Sequence, residues 1–134
     1  MSILSYVAKK TKSKGILQKL ASNKDYIVRC NVAMNKNTPV ELLTELAEDK
    51  SSDVRAVVAY NSNTLIEVLD KLSKDKSSQV RVGVVCNQKT SSEILDALAD
   101  DEDTLVRTFV YRNPNTSKET LIHYANYDDV WVRC

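Results

Sequence analysis

Apolar and polar positions along this chain recur with a period of 26 residues. A Val-Arg pair marks each turn of the pattern: Val28-Arg29, Val54-Arg55, Val80-Arg81, Val106-Arg107 and Val132-Arg133. Five occurrences on one spacing, with no insertion, are the mark of a repeat architecture. Around the second pair, Val54, Val57, Val58 and Asn61 fall on one side of a helical period, and Asp53, Ala56 and Tyr60 fall on the other. That predicts a short helix with one buried and one outward side. A second apolar set follows at helical spacing, as Leu42, Leu43 and Leu46, then Val68, Leu69 and Leu72, then Ile94, Leu95 and Leu98. Leu121 and Tyr124 continue it in the last copy. Each repeat therefore reads as two short helices.

The polar positions between these sets predict the helix ends. Asp25, Ser51, Ser77, Asp103 and Asp129 each stand three residues before the Val, a position suited to an N-cap. Asn35, Asn61, Asn87 and Asn113 follow the helix, and each is expected to end it in a left-handed conformation. Thr38-Pro39-Val40-Glu41, Thr64-Leu65-Ile66-Glu67, Thr90-Ser91-Ser92-Glu93 and Thr116-Ser117-Lys118-Glu119 read as capping boxes opening the second helix. Pro39 is expected at its first helical position.

The ends depart from the pattern. Ile16, Leu17, Leu20 and Ala21 keep the second-helix register, and Ile3 to Lys10 fit a helix in the place of a Val-Arg helix. Residues 1–20 are read as a degenerate capping repeat, 21–124 as four repeats and 125–134 as an incomplete one, all in one domain. Val130, Trp131 and Val132 lie in a fragment too short to hold a helix alone. Further chain, the last full repeat or another molecule is expected to cover them. Gly83 takes the position of Asn31, Val57 and Phe109, and the space beside it is expected to be filled by Phe109 of the next repeat.

At this point the residues carry a resemblance. The pattern D-x-x-x-x-V-R-x-x-V-A-x-N-x-x-T-x-x-E-L-L-x-x-L-A, with its core at Asp49 to Arg55 and Asp75 to Arg81, resembles the leucine-rich repeat variant family. It is also similar to HEAT-like repeats, and the likeness covers about residues 16 to 134. It implies an all-α, right-handed superhelical solenoid of about five two-helix repeats. In the variant family one helix of each pair can be a 3₁₀-helix. The resemblance also implies that the Val-Arg helices line the concave face, and it specifies architecture without specifying an activity.

The candidate chemistry is sparse. The repeated Arg could form a ladder of guanidinium groups for phosphates. The competing expectation is that each Arg bonds an acid such as Asp49, Asp75 or Asp101, or a helix-end carbonyl, at the repeat junction. The carboxylates of Asp100 to Asp103 and of Asp128-Asp129 lie in turns and fit solvated or capping roles. His123 is the only histidine, and Gly15 and Gly83 are the only glycines, so no catalytic triad or phosphate loop can be assembled. No enzyme activity, cofactor or metal site is expected. Cys30, Cys86 and Cys134 match no metal spacing, and their odd number fits a reducing, cytoplasmic compartment. No run approaches the roughly 20 apolar residues of a membrane span, and residues 1–10 lack the features of a secretory signal.

The variable outward positions of the Val-Arg helix are the best candidate surface. They are Tyr26, Ile27, Cys30 and Met34, then Ser52, Asp53, Ala56 and Tyr60, then Ser78, Gln79, Val82 and Cys86, then Thr104, Leu105, Thr108 and Arg112. Tyr26, Ile27, Cys30, Met34, Tyr60, Leu105 and Arg112 are expected to contact a protein or peptide. Charge supplies the alternative. The net charge of +1 hides a division, since residues 1–40 carry eight basic groups against Asp25 alone, a balance of +7, while the remainder carries 11 basic and 17 acidic groups, a balance of −6. Lys9, Lys10, Lys12 and Lys14 with Lys19 and Lys24 could hold a nucleic acid. Ends of opposite sign also favour weak head-to-tail self-association that falls as salt rises.

Overall fold

The structure, a computed structural model, describes residues 1–128. Asp129, Val130, Trp131, Val132, Arg133 and Cys134 lie outside the described residues, and with them the last N-cap, the last Val-Arg pair and the third cysteine. Within the described residues the protein is all-helical. In chain order the helices are α1 (Ile3–Lys10), α2 (Lys14–Leu20), α3 (Tyr26–Met34), α4 (Val40–Leu46) and α5 (Ser52–Tyr60). Then come α6 (Ile66–Leu72), α7 (Ser78–Cys86), α8 (Ser92–Leu98), α9 (Thr104–Arg112) and α10 (Lys118–Asp128). The even-numbered helices are α-helices like the odd ones.

The odd helices pack in sequence, α1 on α3, α3 on α5, α5 on α7 and α7 on α9. α2, α4, α6 and α8 each pack on the odd helix that follows, while even helices touch one another only slightly. The core runs between the two rows. Val28, Val54, Val80 and Val106 supply it from the odd row, and Leu43, Leu69 and Leu95 from the even row. Burying a side chain such as Leu69 fully is worth about 1.5–3 kcal/mol. α1 occupies the place of a Val-Arg helix, as the sequence suggests. Its helix opens on Ser2, whose hydroxyl accepts from Ser5 N–H at 3.1 Å.

The register also decides what is left uncovered. Leu42, Val68 and Ile94 are buried, but Ile16, their counterpart at the start of the row, is 43% exposed. Leu121 is exposed although Leu43, Leu69 and Leu95 are fully buried. Ala56, expected on the outward side, is buried instead, and Val57 is only partly buried.

The helix ends differ from expectation in three ways. The Asn residues do not turn left-handed: Asn35, Asn61, Asn87 and Asn113 have φ between −68° and −79° with extended ψ. Their side chains explain the choice. Asn61 Nδ2 donates to Ala33 O, Asn87 Nδ2 to Ala59 O and Asn113 Nδ2 to Val85 O, at 2.8, 2.8 and 2.9 Å. Each Asn thus ties its turn to the preceding odd helix, and its Oδ1 accepts the N–H two residues on.

Second, the Thr residues do not cap. Thr38, Thr64 and Thr90 are buried and donate to Val32 O, Val58 O and Val84 O at 2.5, 2.6 and 2.6 Å, and Thr116 donates to Val110 O. Their own N–H groups are taken by the carbonyls of Asn35, Asn61, Asn87 and Asn113. Both halves of the supposed capping box are therefore already used, and Glu41, Glu67, Glu93 and Glu119 are exposed. The N-caps are Pro39, Leu65 and Ser91, one residue later, so Pro39 precedes the helix and does not open it.

Third, Gly83 does not face Phe109. A Cβ built on Gly83 would lie 2.8 Å from Ala59 Cβ, 2.9 Å from Ala56 O and 3.3 Å from Tyr60 Cδ2. Its neighbour is the preceding helix α5. The missing side chain lets α7 approach the backbone of α5.

Candidate functional site

The repeated Arg side chains are used inside the fold. Arg29 Nε donates to Asp49 Oδ2, Arg55 Nε to Asp75 Oδ2 and Arg81 Nε to Asp101 Oδ2, each at 2.8 Å. In each case Nη2 donates to the other carboxylate oxygen at 3.1 Å, which completes a two-pronged contact. Nη1 donates back to the carbonyls of Asn23, Asp49 and Asp75, and in Arg107 to that of Asp101. The same Asp residues accept the N–H of Ser51, Ser77 and Asp103. Arg29, Asp49, Arg55, Asp75, Arg81, Asp101 and Arg107 are thus linked hand to hand along the chain. Burial works against the charge of Asp75, but the bonds from Arg55 and Ser77 N–H outweigh it and hold its carboxyl below the usual range. These guanidinium groups are committed to carboxylates and carbonyls, so the phosphate-ladder expectation does not hold for Arg29, Arg55 and Arg81.

The outward face of the odd row is built differently. Along α3, Ile27, Cys30 and Met34 are spaced as one helical stripe, with Tyr26 beside it. The stripe recurs as Asp53, Ala56 and Tyr60 in α5, as Gln79, Val82 and Cys86 in α7, and as Leu105, Thr108 and Arg112 in α9. Its middle position is partly or fully buried and forms a floor. Of its outer positions, Ile27, Met34, Tyr60 and Leu105 stay open with Tyr26 beside them, all 45–58% exposed, while Asp53 and Cys86 are half-buried. Cys30, expected among them, is half-buried, and burial followed by the nearby charges of Asp53 and Asp49 pushes its thiol up to about 11. Such a thiol is protonated at neutral pH and is no nucleophile.

Neighbouring stripes are joined. Gln79 Nε2 donates to Asp53 Oδ1 at 3.0 Å, which links α7 to α5 on this face. Tyr60 lies against Cys86, and burial pushes the pKa of both groups up, so each is a weaker acid than usual. At the far end the Arg112 guanidinium stands 5.6 Å from the Phe109 ring centre. The face runs from an aromatic and aliphatic end at α3 to a cationic end at α9.

The basic candidates sit elsewhere. Lys9, Lys10, Lys12, Lys14, Lys19 and Lys24 are all exposed on or beside α1 and α2, and among the described residues none is in an ion pair. Ile3 and Tyr6 stand among them, 82% and 58% exposed.

Sequence reasoning missed one further feature, a groove of about 490 Å³ between α6 and α8. Ile66, Ile94, Ala97 and Leu98 line it with apolar surface, and Glu67, Asp70, Lys74 and Glu93 line it with charge. Its signal lies in the register. Lys71 of α6 reaches back to Glu48 in an ion pair, and His123 Nε2 of α10 stands 3.7 Å from Asp100 Oδ1. One period after Lys71 stands Ala97, and one period after Glu48 stands Lys74. The contact found at these positions in the neighbouring junctions is absent at this one. Lys74, in the turn after α6, has its Nζ 3.7 Å from Asp70 Oδ2 of that helix.

No protein-family model matches the chain, and no curated protein or solved structure matches it. Among the described residues no helix is long and apolar enough to cross a membrane, and no cluster of His, Cys, Asp and Glu is placed to hold a metal ion. Cys30 and Cys86 are free thiols.

Proposed function

We propose that the chain is a right-handed α-solenoid of the leucine-rich repeat variant or HEAT-like kind, acting as a non-catalytic scaffold in a reducing, cytoplasmic setting. It binds a protein or peptide on the face lined by the Val-Arg helices. The observation that carries this reading is the exposure of Tyr26, Ile27, Met34, Tyr60 and Leu105 along one row of packed helices. Large apolar groups left open in register are the mark of a contact surface. Close packing of the odd helices, with slight contact between even ones, favours a row that curves with the odd helices inside. An extended ligand laid across the row would meet rings and aliphatic chains at α3 and α5, then the Arg112 cation.

The test is comparative capture from a host extract with wild type and Tyr26→Ala/Tyr60→Ala/Leu105→Ala. Partners should be lost by at least tenfold while the melting temperature stays unchanged. Partners retained in full by this variant would sink the reading.

The six exposed lysines on and beside α1 and α2 support a second reading, nucleic-acid binding at the basic end. A salt titration separates the two. Phosphate contacts lose affinity with a log-log slope of about one per neutralised phosphate, and apolar contacts do not.

A further inference from the structure

We infer that the α6/α8 groove receives α1 of a second copy of this chain. This goes beyond the concave-face reading and does not rest on it. It gives self-association two surfaces on one molecule, neither of which includes Tyr26, Ile27, Met34, Tyr60 or Leu105. The groove has an apolar floor and a rim in which Glu67, Asp70 and Glu93 outnumber Lys74. Ala97, a small side chain, lines it where Lys71 bridges to Glu48 one period earlier. Its ligand should be a short amphipathic element with basic ends, the helix-in-groove mode of recognition.

The chain carries such an element. The outward face of α1 presents Ile3, Tyr6 and Lys10 at helical spacing, and Lys9 and Lys12 flank it. No acidic residue precedes Asp25. The lengths agree, since α1 spans about 12 Å and the helices of the groove about 10 Å each. The two surfaces lie on different elements, so one copy's α1 meets the next copy's groove and leaves both end surfaces free. The contact is heterologous, so it generates a ring where the rotation between copies closes and an open chain where it does not.

Two variants each carry one damaged and one intact surface. Tyr6→Glu/Lys10→Glu spoils α1, and Ala97→Trp fills the groove. Sedimentation velocity at low salt should show concentration-dependent association of the wild type, weakened at least tenfold in either variant alone. Mixed together, the variants should form a 1:1 pair, because the intact groove of one meets the intact α1 of the other. Glu93→Lys, at an exposed position, replaces Ala97→Trp should the latter unfold the chain. A wild type that stays monomeric at high concentration and low salt overturns the inference. So does association that the groove variants leave unchanged, or a mixture that forms no pair.

Discussion

Arg81 holds three groups at once: both carboxylate oxygens of Asp101 and the carbonyl of Asp75. Its side chain and that of Asp101 are both nearly closed off from water. Cutting it away would strand a buried carboxylate, and breaking such a pair costs about 3–5 kcal/mol. Arg81→Ala should lose that much in urea unfolding, while Arg112→Ala, which is exposed, should stay within about 0.5 kcal/mol of wild type. Equal and small losses at both would show that Arg81 is not structural. The acid partners of the Arg residues were legible in the sequence because they share its period. The Thr hydroxyls were not. A Thr three residues before a Glu satisfies a capping box on paper, and only the fold shows that Thr64 donates to the Val58 carbonyl instead of accepting. The Asn side chains misled for the same reason. Their anchor lies on the preceding helix, a period away, where no local rule reaches.

At the scale of the helix, α7 lies against α5 more closely than its counterparts because Gly83 has no Cβ. Both atoms that a new Cβ would meet most closely, Ala59 Cβ and Ala56 O, belong to or sit beside backbone and have little room to yield. Gly83→Ala gains about 1 kcal/mol of helix propensity but forces overpacking worth about 1–3 kcal/mol. The net effect should be destabilising, read as a lower melting temperature, and a stabilised Gly83→Ala would show that α7 slides freely over α5. Periodicity gave Gly83 its position in the repeat without saying which neighbour it faces, since the helices before and after carry the same register. That is why Phe109 was a reasonable but wrong candidate. The groove beside Ala97 was hidden for a related reason: an absent ion pair is visible only once the pair that should be there is known.

Across the described residues, two sets of bonds that tie one helix pair to the next, the Arg–Asp chain and the Asn anchors, recur at the 26-residue interval of the sequence. Length is therefore a free variable of the design. Excising residues 53–78, one period of 26, would join Ser52 to Gln79. Arg81 would then meet the Asp49 carbonyl in place of that of Asp75, and Asn87 would meet Ala33 in place of Ala59. No buried Arg, Asp or Asn of these two sets is orphaned, and the contacts of Lys71 with Glu48 and of Gln79 with Asp53, which are lost, lie at the surface. Excising residues 53–72 would put every later residue out of step. The first shortened chain should melt in one cooperative transition by circular dichroism, and the second should not fold; equal behaviour of the two would refute the rule. A gene for such a protein can shed or copy a unit in a single step and still encode a folded product, so its lineage can change how far the molecule reaches without redesigning how it holds together.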